Sequence, residues 1–368
     1  MINSYNFINS LTEKGYSSFY GVPDSILSSF SKSLYFDFNH INHFITANEG
    51  SALAMSIGYQ LTHDKVPIVY LQNSGLGNLI NPYLSLTNKY VYDIPTLFII
   101  GWRGEPGTED EPQHMFQGKI TLNLLDLLEI DYAILDSETN FEEVIEQAVQ
   151  CNKQNKSFVI LVKKNTFKND KRNFPSNKST ISRNEALESL IKIEQINNLY
   201  ISTTGKLSRE LDSIREGKNS KPSDFYLVGG MGHTFSVSYS LAHENPDKVI
   251  ICLDGDGSFL MHLGSVGLVA SNPLENYIHI LFNNSSHQSV GGQPTYIDNL
   301  DLEQLSNSLG FKSFLNINKI EDLDSKIYKL ERPAFINIVI NTDEKPNLSR
   351  PKNTPVKNKE SFKSSIQK

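Results

Sequence analysis

Ten short apolar runs, five on each side of a polar stretch, constrain this chain more than any other feature. The first set is 18–21, 44–46, 68–71, 96–100 and 158–162; the second is 199–202, 225–228, 249–253, 277–282 and 334–340. Each run is too short for a helix and apolar on both of its faces, the pattern of a strand covered on both sides. Amphipathic, helix-like stretches separate them. Alternation of this kind predicts an α/β fold: two domains, each a parallel sheet flanked by helices. The stretch 166–181 is basic, polar and without periodicity, as expected of a solvated linker. The expected organisation is therefore a first domain at 1–165, a linker at 166–181, a second domain at 182–342 and a polar, loosely ordered tail at 343–368.

A length of 368 residues is enough for two domains with cores of their own. Net charge is −7, with no basic stripe in the core regions, which argues against a nucleic-acid surface. The two cysteines, Cys151 and Cys252, have no metal-ligand spacing and exclude a disulfide framework. The first residues show neither a basic n-region nor an apolar h-region, and no run is long enough to span a membrane. A cytoplasmic protein without membrane contact is expected.

In an open parallel sheet, ligands sit beyond the carboxyl ends of the strands. Run 249–253 leads into Asp254, Gly255, Asp256, Gly257 and Ser258, and run 277–282 into Asn283, Asn284, Ser285 and Ser286. Asp256 and Asn284 are thus expected at neighbouring strand ends. A carboxylate, an amide oxygen and the Ser286 carbonyl form an all-oxygen set suited to Mg²⁺, which keeps further positions for water and phosphate. Gly255 and Gly257 leave the backbone bare where a phosphate approaches, and the following helix start offers N–H groups. A tight acidic turn and an ordinary Asn-rich loop is the plainer reading of the same residues.

The segment from Gly255-Asp256-Gly257 to Asn283-Asn284 resembles the cofactor motif of the thiamine diphosphate-dependent decarboxylase family. Residues 283–295, Asn-Asn-Ser-Ser-His-Gln-Ser-Val-Gly-Gly-Gln-Pro-Thr, are similar to the phosphonopyruvate decarboxylases within it. The resemblance covers nearly the whole chain. It implies a pyrimidine-binding first domain, a diphosphate-binding second domain, and thiamine diphosphate and Mg²⁺ as cofactors. The metal ligands it implies are Asp256, Asn284 and Ser286.

Chemistry with this cofactor also requires a carboxyl group on the pyrimidine N1′, so that the ring can remove the thiazolium C2 proton. Glu49-Gly50-Ser51-Ala52 follows run 44–46 and matches the family's glutamate motif, although a glutamate at a helix N-terminus is often simple dipole compensation. Gly230, Met231, Gly232 and His233 follow run 225–228. The resemblance makes Met231 the wedge that bends the cofactor, against the rival readings of a dinucleotide Gly-loop or a core methionine. Thr203, Thr204 and Gly205 suit a diphosphate or, equally, a helix cap. Gly255, Gly257 and Ser258 complete the cofactor set.

Three polar segments at expected strand ends of the first domain also resemble phosphonopyruvate decarboxylases. They supply Asp24 and Ser25, then Asn73, then Arg103 with His114 and Lys119. A phosphonate-bearing 2-oxo acid needs convergent donors, for which Ser25, Asn73, Arg103, His114, Lys119 and Gln293 are the candidates. Asp24 and His287 are the candidates for moving protons beside Glu49. The implied reaction is conversion of 3-phosphonopyruvate to phosphonoacetaldehyde and CO₂ by ylide chemistry, in the biosynthesis of phosphonates of the 2-aminoethylphosphonate type. The alternatives are 3-sulfopyruvate decarboxylation and a non-catalytic subunit of the same fold; retention of Glu49 and Asp256 argues against the latter. Because the family draws these two residues from different chains, a homodimer or larger assembly is expected.

Overall fold

The computed structural model describes residues 1–217, 224–343, 345, 348–349, 351 and 353–367. The chain divides into two compact units: Met1–Phe174 with His287–Pro294, and Pro175–Ser286 with Thr295–Lys368. The first unit holds strands β1 Ser18–Gly21, β2 Asn42–Ile45, β3 Ile68–Gln72, β4 Leu97–Gly101, β5 Asp131–Leu135 and β6 Phe158–Val162. They form one parallel sheet in the order β2-β1-β3-β4-β6-β5. The second unit holds β7 Asn198–Ser202, β8 Asp224–Tyr226, β9 Val249–Gly255, β10 Tyr277–Asn283, β11 Ser313–Ile317 and β12 Ala334–Val339. Its parallel order is β11-β12-β10-β9-β7-β8. Read from the other edge, this is the same topology as the first sheet.

That shared order fixes where ligands can bind. In each sheet the first strand sends one connection outward to the second and the next one back to the third, so the chain changes direction between β1 and β3 and between β7 and β9. A crevice opens beyond the strand ends at such a switch point. Both faces of each sheet are covered, which is why the central strands read as unbroken apolar runs. Along β4, Leu97 and Ile99 pack into one cluster and Phe98 and Ile100 into another.

Among the described residues each sheet has six strands, where the sequence predicts five. The unforeseen β5 and β11 are both edge strands, and most of their residues are only half-buried. Edge strands keep polar residues, so a search for continuous apolar runs passes over them.

The tail also departs from expectation. Pro355–Ile366 is a helix, begun by the Thr354 side chain accepting from the Lys357 N–H. Asn358 pairs with the backbone of edge strand β8, accepting from Tyr226 N at 3.1 Å and donating to Asp224 O at 3.0 Å. Phe362 is buried against Phe225. An amphipathic helix that covers an open sheet edge gains apolar burial and satisfies edge backbone groups together, which offsets its polar composition. The parts of the expected tail at 344, 346, 347, 350, 352 and 368 lie outside the described residues.

The 166–181 connection contains no helix, but it is not a solvated strap. Phe167 enters the first core, and Ile2 bridges to it through Ile2 N to Thr166 O and Lys168 N to Ile2 O, both 2.8 Å. Residues His287–Pro294, expected in the second domain, belong to the first unit by their contacts. Gln293 is fully buried there, with its Nε2 donating to Ser31 Oγ at 2.5 Å.

Candidate active site

In the second unit, the loops at the β7/β9 switch point are tied together through one hydroxyl. Thr203, directly after β7, donates from Oγ1 to Ser258 Oγ at 3.1 Å, and the Gly232 N–H reaches the same oxygen at 3.1 Å. Three segments far apart in sequence, at 203, 232 and 258, therefore meet at Ser258. Asp254 lies fully buried beside it, bonded to the Ser258 side chain and to Gly255 N, and burial pushes its carboxyl up to about 6. Thr204 Oγ1 donates to Val228 O at 2.8 Å, tying the segment after β7 to the one after β8. Gly205, Gly230 and Gly232 all take positive φ, at 96°, 65° and 87°, which a side chain would strain. Met231 is half-buried at the turn, and His233 is exposed and stacked on His262, with ring centroids 4.5 Å apart.

Asp256 begins a helix directly after β9 and is almost fully buried. Its Oδ1 accepts from Gly257 N at 2.9 Å, and its Oδ2 from Ser286 N at 3.1 Å and Thr295 Oγ1 at 2.9 Å. These donors are neutral, so burial outweighs them and pushes the carboxyl up to about 7. A buried acid surrounded by neutral oxygens and N–H groups lacks a positive charge. Asn284, buried at the end of the neighbouring strand, adds an amide oxygen that also accepts from Ser286 N at 3.1 Å. The donor set fits Mg²⁺, a hard cation that takes oxygen ligands. At Gly255, no atom lies within 4 Å of where a Cβ would stand, so the backbone beside the acid is open to a phosphate.

Two partners in this half were not foreseen. Thr295 orients Asp256, and Asp298 holds the Asn-Ser loop by accepting from Ser285 Oγ and, at 3.4 Å, from Asn283 Nδ2. Thr295 closes the quoted 283–295 string; Asp298 carries no local signal.

In the first unit, Glu49 opens a helix after β2, with Asn48 as its cap accepting from Gly50 N at 2.8 Å. The carboxyl folds inward and is almost fully buried. Asn78 Nδ2 donates to Oε2 at 2.7 Å, yet burial still raises the carboxyl's pKa. The other oxygen lies where a Cβ on Gly75 would stand. Gly75→Ala should therefore displace the Glu49 carboxyl and lower turnover by at least about tenfold, with the melting temperature lowered by only a few degrees. Parallel measurement of turnover and thermal melting checks this.

Asp24 is fully buried after β1, and its Oδ2 accepts from Ile26 N at 3.1 Å and Leu27 N at 3.2 Å. Burial pushes it up to about 6. It sits so close to Gly101 that any side chain there would collide with the carboxylate. Ser25, the next residue, accepts from Arg103 Nη1 at 3.0 Å. Asn73 clamps the Arg103 backbone from both sides: Oδ1 accepts from Arg103 N at 3.0 Å, and Nδ2 donates to Arg103 O at 2.9 Å and to Thr121 Oγ1 at 3.0 Å. Its amide is thus fully committed to the loop, so Asn73 supports Arg103 and has no donor for a substrate.

The other candidates divide. His114 is buried near Arg103, and burial with that neighbouring charge lowers its pKa, so it is neutral near pH 7. His287 is buried too and pushed down to about 4, again neutral. Lys119 is exposed, and its spacing from His114 turns it to another side of helix Pro112–Leu127. Gln293 is engaged with Ser31 inside the unit. Structure therefore brings together Asp24, Ser25, Asn73, Arg103 and His114, and leaves Lys119 outside that group.

A family model described as "Thiamine pyrophosphate enzyme, N-terminal TPP binding domain" matches residues 5–127, and its partner, "Thiamine pyrophosphate enzyme, C-terminal TPP binding domain", matches residues 205–338. The chain is 29% identical to a phosphonopyruvate decarboxylase of Streptomyces viridochromogenes, over 96% of this chain and 92% of that protein. It is equally similar to a phosphonopyruvate decarboxylase of Streptomyces hygroscopicus, with the same coverage. It is also 34% identical to the sulfopyruvate decarboxylase subunit beta of Methanothermobacter thermautotrophicus, over 44% of this chain and 82% of that one. With a model of each half matched in chain order over two parallel sheets of one topology, this chain belongs to the thiamine pyrophosphate (thiamine diphosphate) enzyme family.

Proposed function

We propose that the chain is a thiamine diphosphate- and Mg²⁺-dependent decarboxylase that converts 3-phosphonopyruvate to phosphonoacetaldehyde and CO₂. The observation that carries the chemistry is the buried Glu49 carboxyl, held in a slot by Asn78 and Gly75, with burial raising its pKa above the ordinary glutamate value. Such a carboxyl would share a proton with the cofactor's pyrimidine nitrogen. Bound thiamine diphosphate supplies the electron sink that accepts the pair left by the departing carboxylate. Asp256, Asn284 and the Ser286 carbonyl would hold Mg²⁺ and, through it, the diphosphate. Gly255 and Gly257 let the phosphates approach, and the Ser258 hydroxyl joins the 203 and 232 segments around them. Asp24, poised near 6, can give or take a proton close to neutrality. Arg103 directs its guanidinium at the substrate's anionic end.

The substrate reading is supported by likeness to phosphonopyruvate decarboxylases along 96% of the chain. A second reading, sulfopyruvate decarboxylation, is favoured by the higher identity to a sulfopyruvate decarboxylase beta subunit, limited to 44% of the chain. Self-association into a homodimer or larger assembly is part of the proposal and rests on the family resemblance. No helix among the described residues is long and apolar enough to cross a membrane.

CO₂ release by the purified chain with thiamine diphosphate and Mg²⁺ tests the assignment. The expected kcat/KM for phosphonopyruvate exceeds that for sulfopyruvate by at least about tenfold and that for pyruvate by more, since an unfilled anion subsite costs binding on the order of 1 to 3 kcal/mol. Equal values on pyruvate and phosphonopyruvate would remove the substrate assignment. A higher value on sulfopyruvate would select the second reading.

A further inference from the structure

Arg103 is held far more tightly than a surface arginine, and by a residue that sequence reasoning passed over. Asp110 grips one edge of the guanidinium with both oxygens: Nε donates to Oδ2 at 2.7 Å and Nη2 to Oδ1. Asp110 cannot swing away freely, because Gly104 N donates to its Oδ2 at 2.8 Å and Glu111 N to its Oδ1 at 2.7 Å. Arg103's own backbone is clamped by Asn73. Gly104 makes the necessary turn at a positive φ of 67°, packed against the His114 carbonyl where no side chain would fit. The loop 103–111 thus builds a rigid frame around one cation.

The hydrogen-bond geometry leaves one edge of that cation available. Asp110 occupies the Nε side and Ser25 takes one N–H of Nη1 at 3.0 Å, so N–H groups at the Nη end remain for an oxyanion beside the Ser25 hydroxyl. A lone arginine would sample many rotamers and lose that freedom on binding. Here the loss has already been met in the folded chain. The charges of buried Asp24 and of Glu111 also act on Arg103.

We propose that Asp110 is a positioning residue for the reaction: it pre-sets Arg103 so that the Nη end meets the phosphonate or carboxylate oxygens of the substrate. The proposal rests on the function assigned above and names the residue that gives Arg103 its direction. Asp110 itself touches no substrate atom.

The test is a double-mutant cycle on the holoenzyme with phosphonopyruvate. Asp110→Asn keeps the shape and one backbone acceptor but loses the two-oxygen grip. KM is expected to rise about tenfold with kcat within about threefold, as for loss of a group that orients a ligand-binding side chain. Arg103→Ala alone should raise KM further, and adding Asp110→Asn to it should change nothing more. If the KM effect of Asp110→Asn persists undiminished without Arg103, Asp110 serves only the loop, and the proposal fails. An unchanged KM in Asp110→Asn overturns it equally. Failure of the functional assignment is distinguishable, because wild-type enzyme would then release no CO₂ from phosphonopyruvate.

Discussion

Glu49→Gln is expected to lower kcat for decarboxylation by about 10²- to 10⁴-fold, the range supplied by a positioned acid or base. The amide keeps the size of the side chain, still accepts from Asn78 and fills the slot beside Gly75, so the fold and cofactor binding should survive. What it loses is the ionisable carboxyl, whose pKa burial raises. Cofactor-dependent thermal stabilisation measured beside turnover separates the two effects. Wild-type turnover in this variant would exclude Glu49 as the activating acid.

Asp256→Asn should weaken joint binding of Mg²⁺ and thiamine diphosphate by at least about 100-fold, more than is usual for losing a group that merely orients a ligand. Wild-type protein at a ligand concentration of 100 times Kd should gain about 2.7 kcal/mol of stability, and the variant almost none at that concentration. Without ligands the variant should match or exceed wild type above neutral pH. The reason is the direction of the shift: a carboxyl raised to about 7 by folding contributes stability while protonated, and that contribution is lost as pH rises through the folded value. Asparagine carries no such charge into the buried position. Titration calorimetry and melting curves at pH 6 and pH 8 read both outcomes. Metal-dependent stabilisation equal to wild type would show that Asp256 is not a ligand.

Several of these residues could be found from the string of letters because local chemistry marks them. Asp256 and Asn284 each follow an apolar run directly, and the position after a buried strand is where a parallel sheet presents its ligands. Glu49 was legible in the same way, at the start of a helix after β2. Asp110 lies in a string, 110–114, that resembles the family but assigns it no task, because its importance lies in the Arg103 edge it occupies. Gly75 and Gly101 gave no warning either; each is needed because a carboxyl from a distant segment occupies the space its side chain would take. The sequence marks Asn73 as a candidate substrate donor, but only the fold reveals that its amide bonds the Arg103 backbone and Thr121.

The order of apolar runs along the chain was enough to dictate two parallel, helix-covered sheets, because a strand buried on both faces must be apolar throughout and shows this without any neighbour. It was not enough to reveal β5 and β11, whose edge positions let polar residues remain, or the helix Pro355–Ile366, which owes its order to the strand it covers. Nor could it tell that His287–Pro294 packs with the first unit. Which strand ends adjoin, and hence which carboxyl meets which amide, depends on the packing of whole layers. Those contacts join residues far apart in sequence, so no stretch of the chain read alone contains them.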